Sequence, residues 1–189
     1  MKKSLFFAAL FIAAFVFTSC DDETNGGSLK IEAKVVNGND YNDFIEEIRV
    51  FTIFLFRNDY KEDEIRETEI VSCNYANGGF TLTLPKEIIE SAYTFTTSSG
   101  QKHIYPGIPT RFYAYKDNNV VGEFIYKSSN NEYEGRFYYN FKNCDAVVRY
   151  LPTDMGFEIK MKKGWNVVYF TDITLEKPNA NLNWYFIPN

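Results

Sequence analysis

From residue 29 onward, apolar and polar side chains alternate with a period of two in one segment after another, and strands are the element that sorts such residues into a dry and a wet face. Ile31, Ala33 and Val35 share a face of the run from Lys30 to Val35. Phe80, Leu82 and Leu84 do the same before Pro85 ends the run, and Phe157, Ile159 and Met161 repeat the pattern. One buried and one wetted face is the arrangement of antiparallel sheets. The segment from Ile48 to Phe56, IRVFTIFLF, differs because its second half is apolar on both faces. It is predicted to lie centrally in the core, with either Phe54 and Phe56 or Ile53 and Leu55 facing inward. Further strands are predicted over 66–73, 111–116, 120–127, 136–141, 146–151, 165–170 and 182–187.

Turn chemistry falls between these runs, at Asn77-Gly78-Gly79, Asp117-Asn118-Asn119 and Lys162-Lys163-Gly164. Only Pro85 to Ala92 reads as a helical turn or two, with Asp40 to Glu47 as a second short candidate. No amphipathic pattern exceeds three turns, which argues against α/β enzyme folds. Aromatic residues make up 18% of the chain, and five of the Phe (Phe6, Phe7, Phe11, Phe15 and Phe17) precede Cys20, so the bias belongs to the region with the strand pattern. The expected architecture is all-β: a single domain over 29–189, an antiparallel two-sheet β-sandwich of the immunoglobulin or transthyretin type.

The first nineteen residues have a different character. Met1-Lys2-Lys3 is a positive start, followed by 13 apolar residues from Leu5 to Phe17. A bilayer needs about 20 residues of helix, so this run is too short to cross, but it matches the apolar region of a secretory signal. Phe17-Thr18-Ser19-Cys20 then resembles the lipobox of bacterial lipoproteins, with Phe17 where Leu or Val is usual. The resemblance implies cleavage of 1–19 and lipid on Cys20. Asp21, Asp22 and Glu23 follow at once and resemble the acidic sorting signal of Bacteroidota-type surface lipoproteins. That resemblance implies an outer-membrane, lipid-anchored protein exposed on the cell surface. Thr24 to Ser28 complete a flexible tether over 20–28. The phrases around Trp165 and from Asn77 to Pro85 are similar to those of small uncharacterised β-sandwich lipoproteins of the same group, a likeness that carries no activity with it.

Chemistry-bearing residues are few. Loss of Lys2 and Lys3 takes the formal charge from −5 to −7, and an acidic surface argues against nucleic acid as a partner. His103 is the only histidine, and the sequence marks neither a nucleophile nor an orienting group for it. Its loop contains Pro and Gly and presents Tyr105, which makes His103 and Tyr105 the first candidates for a binding loop. The stretch from Asn37 to Asp43 lacks the acid spacing of a calcium loop and reads as a turn, so no metal and no cofactor are expected. Cys73 and Cys144 either pair as a disulfide, as export permits, or remain two buried thiols. Trp165 is expected in the core. Of Tyr138 and Tyr139, one is expected to face in and the other out. The charged stretch from Arg57 to Glu67 is expected to be a solvated hairpin end.

These readings point to a membrane-anchored, non-enzymatic surface module that binds glycan or protein or serves an envelope complex. The alternative is a hydrolase acting on polysaccharide or peptidoglycan. Two close carboxylates in a cleft would mark the hydrolase, and an exposed aromatic strip would mark the binder.

Overall fold

Thirteen strands and a single 3-10 turn organise the described residues of the computed structural model, which are 27–58, 61–89, 94–96, 102–104, 107–150, 155–171 and 173–189. Cys20, Asp21, Asp22, Glu23 and Tyr105 lie outside them. The strands are β1 (Leu29–Lys34), β2 (Glu47–Asn58), β3 (Lys61–Asn74), β4 (Gly79–Leu84), β5 (Thr94–Thr96), β6 (Lys102–Ile104), β7 (Ile108–Lys116), β8 (Asn119–Ser128), β9 (Glu134–Asn140), β10 (Cys144–Tyr150), β11 (Met155–Met161), β12 (Gly164–Phe170) and β13 (Leu182–Pro188). Every pairing between them is antiparallel. The fold is all-β and compatible with a sandwich, as the alternation predicts. No helix among the described residues is long and apolar enough to cross a membrane.

The principal sheet has seven strands in the order β12-β9-β8-β7-β2-β3, with β13 on the other edge of β8. Three of these strands meet at a junction. β8 runs beside β7 as far as Phe124 and beside β9 at Tyr126 and Lys127, while β7 reaches β9 through Ile108 and Pro109. The Thr110 hydroxyl donates to the Phe137 carbonyl (3.1 Å), satisfying a buried polar group beside the junction. Trp184 of β13 fills the space beside it. Its ring stacks on Phe137 (5.8 Å, 10°) and meets Phe112, Tyr126 and Phe80 at 5.0–5.3 Å.

β1 and β4 form a two-stranded layer over this side. Ile31, Ala33, Phe80, Leu82 and Leu84 point down onto Ile48, Val50, Phe112, Ala114 and Phe124, in one continuous core. A parallel bridge between Val35 and Trp184 ties the layer to β13. Two-residue turns close the neighbouring hairpins. Asn77 and Gly78 have φ of 53° and 73°, and Asp117 and Asn118 have φ of 50° and 62°, the left-handed pair that two-residue hairpin loops require. The chain enters β1 at the end of the sheet where β7 begins. Leu29 pairs with Leu84, and Pro85 beyond it accepts the Trp165 indole N–H (2.7 Å).

Some local expectations change. Residues 85–89 form no helix, and 90–92 lie outside the described residues. The Pro85 and Lys86 carbonyls accept side-chain donors from the sheet, Trp165 and Tyr139, and Ile88 is buried against Tyr139. The helical candidate from Asp40 to Glu47 becomes a 3-10 turn over Gly38–Tyr41. Tyr138 and Tyr139 do lie on opposite faces of β9, yet both are buried. The face expected to be wet is covered there, because Met161 and Ile159 of β11, with Ile173 and Leu175, pack on Tyr138, Val168 and Phe170.

β2 lies between β3 and β7, one strand in from the edge of the principal sheet rather than at its centre. Ile48, Val50 and Thr52 are fully buried, while Ile53 is half-buried. The pairing with β7 ends at Thr52, so the doubly apolar half of IRVFTIFLF continues as a ribbon with β3. The side chains of Phe54, Leu55 and Phe56 lie outside the described residues.

Candidate binding face

Alternation along β2 and β7 puts Glu47, Arg49 and Phe51, with Arg111, Tyr113 and Tyr115, on the side of the principal sheet opposite β1 and β4. The register sets them in rungs: Glu47 opposite Tyr115, Arg49 opposite Tyr113 and Phe51 opposite Arg111. β8 adds Val120 opposite Tyr115 and Glu123 opposite Tyr113. β3 adds Glu67 and Glu69, and β13 adds Ile187 opposite Glu123. Phe51, Tyr113 and Tyr115 are half-buried, and none of the hydrophobic clusters includes them. Val120 and Ile187 are exposed at 40% and 38%, high for large apolar side chains. Among the described residues this part of the sheet is therefore an open aromatic and aliphatic strip bordered by charge.

The strip is ordered by its own contacts. Arg49 Nε donates to Glu47 (2.7 Å), its Nη2 donates to Asn118 (2.7 Å), and its guanidinium lies over the Tyr115 ring at 4.2 Å. Phe51 meets Tyr113 edge-on (5.6 Å) and stacks towards Tyr115 (6.5 Å). Arg111 Nη1 donates to the Tyr113 hydroxyl (3.2 Å), which donates in turn to Glu67 (3.0 Å). The hydrogen bond from Arg49 holds the Glu47 carboxyl below its usual range. Burial raises the Tyr113 and Tyr115 phenols, so both stay neutral donors at physiological pH. At the margin, Glu46 accepts the Asp117 backbone N–H (3.1 Å) and pairs with Lys116 (3.2 Å), fixing the turn between β7 and β8.

The sites expected from sequence lie elsewhere. His103 is on β6, its backbone paired with Phe95 of β5, and its side chain lies outside the described residues, as does Tyr105. Cys73 is a free thiol, so the disulfide with Cys144 is not formed. The topology explains this: Cys73 sits opposite Ile48 in the principal sheet, and Cys144 opens β10 in a separate two-stranded sheet. Burial and the nearby Glu47 charge push the Cys73 thiol up to about 11, which keeps it protonated and unreactive. The stretch from Asn37 to Asp43 is built as a turn, with Asn42 Oδ1 accepting the Gly78 N–H (3.0 Å). No group of acids, His and Cys among the described residues could hold a metal ion.

The strip is inconspicuous in the sequence because its members look unremarkable alone, as the wet half of two alternating strands. A usable signal was present in RFYAYK, where the positions of Arg111, Tyr113 and Tyr115 carry a guanidinium and two aromatic rings on the face expected to be wet. The chain matches no protein-family model, no curated protein and no solved structure.

Proposed function

We propose that this protein is a non-enzymatic binding module, anchored to the outer membrane by lipid on Cys20 and displayed at the cell surface, which engages its ligand through the open face of β2, β7 and β8. The observation that carries the reading is the strip itself. Phe51, Tyr113 and Tyr115 remain half-exposed on a face whose far end is closed by β11, and exposed Val120 and Ile187 extend it. Contiguous apolar surface rimmed by charge is characteristic of interaction sites, and Tyr and Arg predominate where binding energy concentrates.

Two experiments test the anchoring and the surface display. Cys20→Ala should release the chain from the membrane fraction or leave it unprocessed, and a mature-sized species that still partitions with membrane would refute anchoring. Protease added to intact cells should digest the protein, and Asp21→Ala with Asp22→Ala and Glu23→Ala should protect it. Equal digestion of both forms would remove the sorting role from the acidic triplet.

A further inference from the structure

We infer that the partner of the open face is a protein whose contact surface sets Lys or Arg around an apolar centre. This rests on the open face being the binding surface, as proposed above, and adds the chemistry of what it binds. Around the Phe51, Tyr113 and Tyr115 rings the face carries the carboxylates of Glu47, Glu67, Glu69 and Glu123 against the guanidinium groups of Arg49 and Arg111, while Lys127, farther along β8 on the same side, lies over the Tyr185 ring at 5.3 Å. Both guanidinium groups are already engaged within it, Arg49 by Glu47, Asn118 and the Tyr115 ring, and Arg111 by the Tyr113 hydroxyl. Of the acids, Glu47 is held by Arg49 and Glu67 accepts from Tyr113. Among the described residues, Glu69 and Glu123 interact with Arg49 and Arg111 through longer-range attraction alone. The unmet electrostatic demand of the face is therefore for positive charge, placed on either side of the Phe51, Tyr113 and Tyr115 rings.

Other occupants fit less well. A sugar stacks on an aromatic ring through an open flat face, but Arg49 already lies over the Tyr115 ring, and Phe51 is engaged with both Tyr113 and Tyr115. A second copy of this chain, docked face on face, would set the same acidic excess against itself. A protein surface accepts ring edges readily, and rings already fixed by their neighbours lose little freedom on binding.

The test uses the full-length lipoprotein in intact cells. Val120 and, separately, Ile187 are replaced by a photo-cross-linking benzophenone amino acid, with Glu32 on β1 in the opposite layer as the control position. The expected result is a protein adduct from both face positions and none from Glu32. Mass spectrometry should place the adduct on a segment of the partner bearing Lys or Arg. Its yield should fall about tenfold in the Glu69→Gln, Glu123→Gln double variant. A similar fall is expected at about 1 M salt, where the Debye length is about 3 Å. No adduct from either face position, or an equal adduct from Glu32, would overturn the open face as the binding surface. An adduct that is glycan, a second copy of this chain, or a protein captured equally well by the double variant would leave the face standing and overturn the basic partner.

Discussion

Single residues divide into those that hold the fold and those that stand clear of it. Trp184 touches four other rings at the three-strand junction, and Phe51 touches two on the open face. Trp184→Ala should therefore cost about 3–5 kcal/mol in chemical denaturation. Phe51→Ala should cost under about 1 kcal/mol while weakening binding. Equal losses would mean that Phe51 belongs to the core. Cys73 gives a second residue-scale prediction. Its thiol lies at about 11 in the fold against an ordinary 9.0, because the fold holds the proton more tightly than the unfolded chain. The stabilisation is present below about pH 9 and is lost as pH rises towards about 11. In a Cys144→Ser variant, native Cys73 should react with a thiol reagent at about pH 8 far more slowly than after denaturation. Equal rates would show that the thiol is not shielded.

At the scale of elements, the layer of β1 and β4 depends on close backbone approach. A Cβ on Gly79 would lie 2.2 Å from the Ala33 carbonyl oxygen in the facing strand, whereas one on Gly27 would meet nothing within 4 Å. Gly79→Ala should cost about 1–3 kcal/mol and loosen the exchange protection of β1 amides, with Gly27→Ala as a neutral control. Strands at this scale were legible because alternation is a local signal: β1, β4, β8 and β12 each begin within about two residues of the range that the pattern predicts. The three-residue strands β5 and β6 were not legible, since so short a run carries no period. Nor was the irregular stretch 85–89, whose PKEII reads as helix until Trp165 and Tyr139, remote in sequence, claim its carbonyls. Which faces stay wet is a property of topology. Tyr138 is buried because β11 returns over it, while Tyr113 is open because no described element does so.

For the molecule as a whole, alkali is the informative stress. Burial pushes the phenols of Tyr75, Tyr126 and Tyr138 from 10.0 up to about 12. The fold keeps these protons where the unfolded chain would release them, so the stabilisation is intact below about pH 10 and is lost as pH rises through about 12. Ultraviolet titration should show these phenols ionising late and together with loss of tertiary signal, and smooth ionisation near pH 10 in a still-folded protein would contradict their burial. The direction in which the chain is threaded has a consequence of its own. Leu29 lies at the end of the sheet where β7 begins, and Tyr115 lies seven residues along β7, near its other end. With Cys20 in the membrane as proposed, residues 21–28 reach at most about 29 Å, and the length of β7 can add about 23 Å more. The aromatic strip then has a stand-off of up to about 50 Å from the lipid. A reach of that size would let the module engage tall neighbours or the envelope of another cell as well as partners nearer its own membrane.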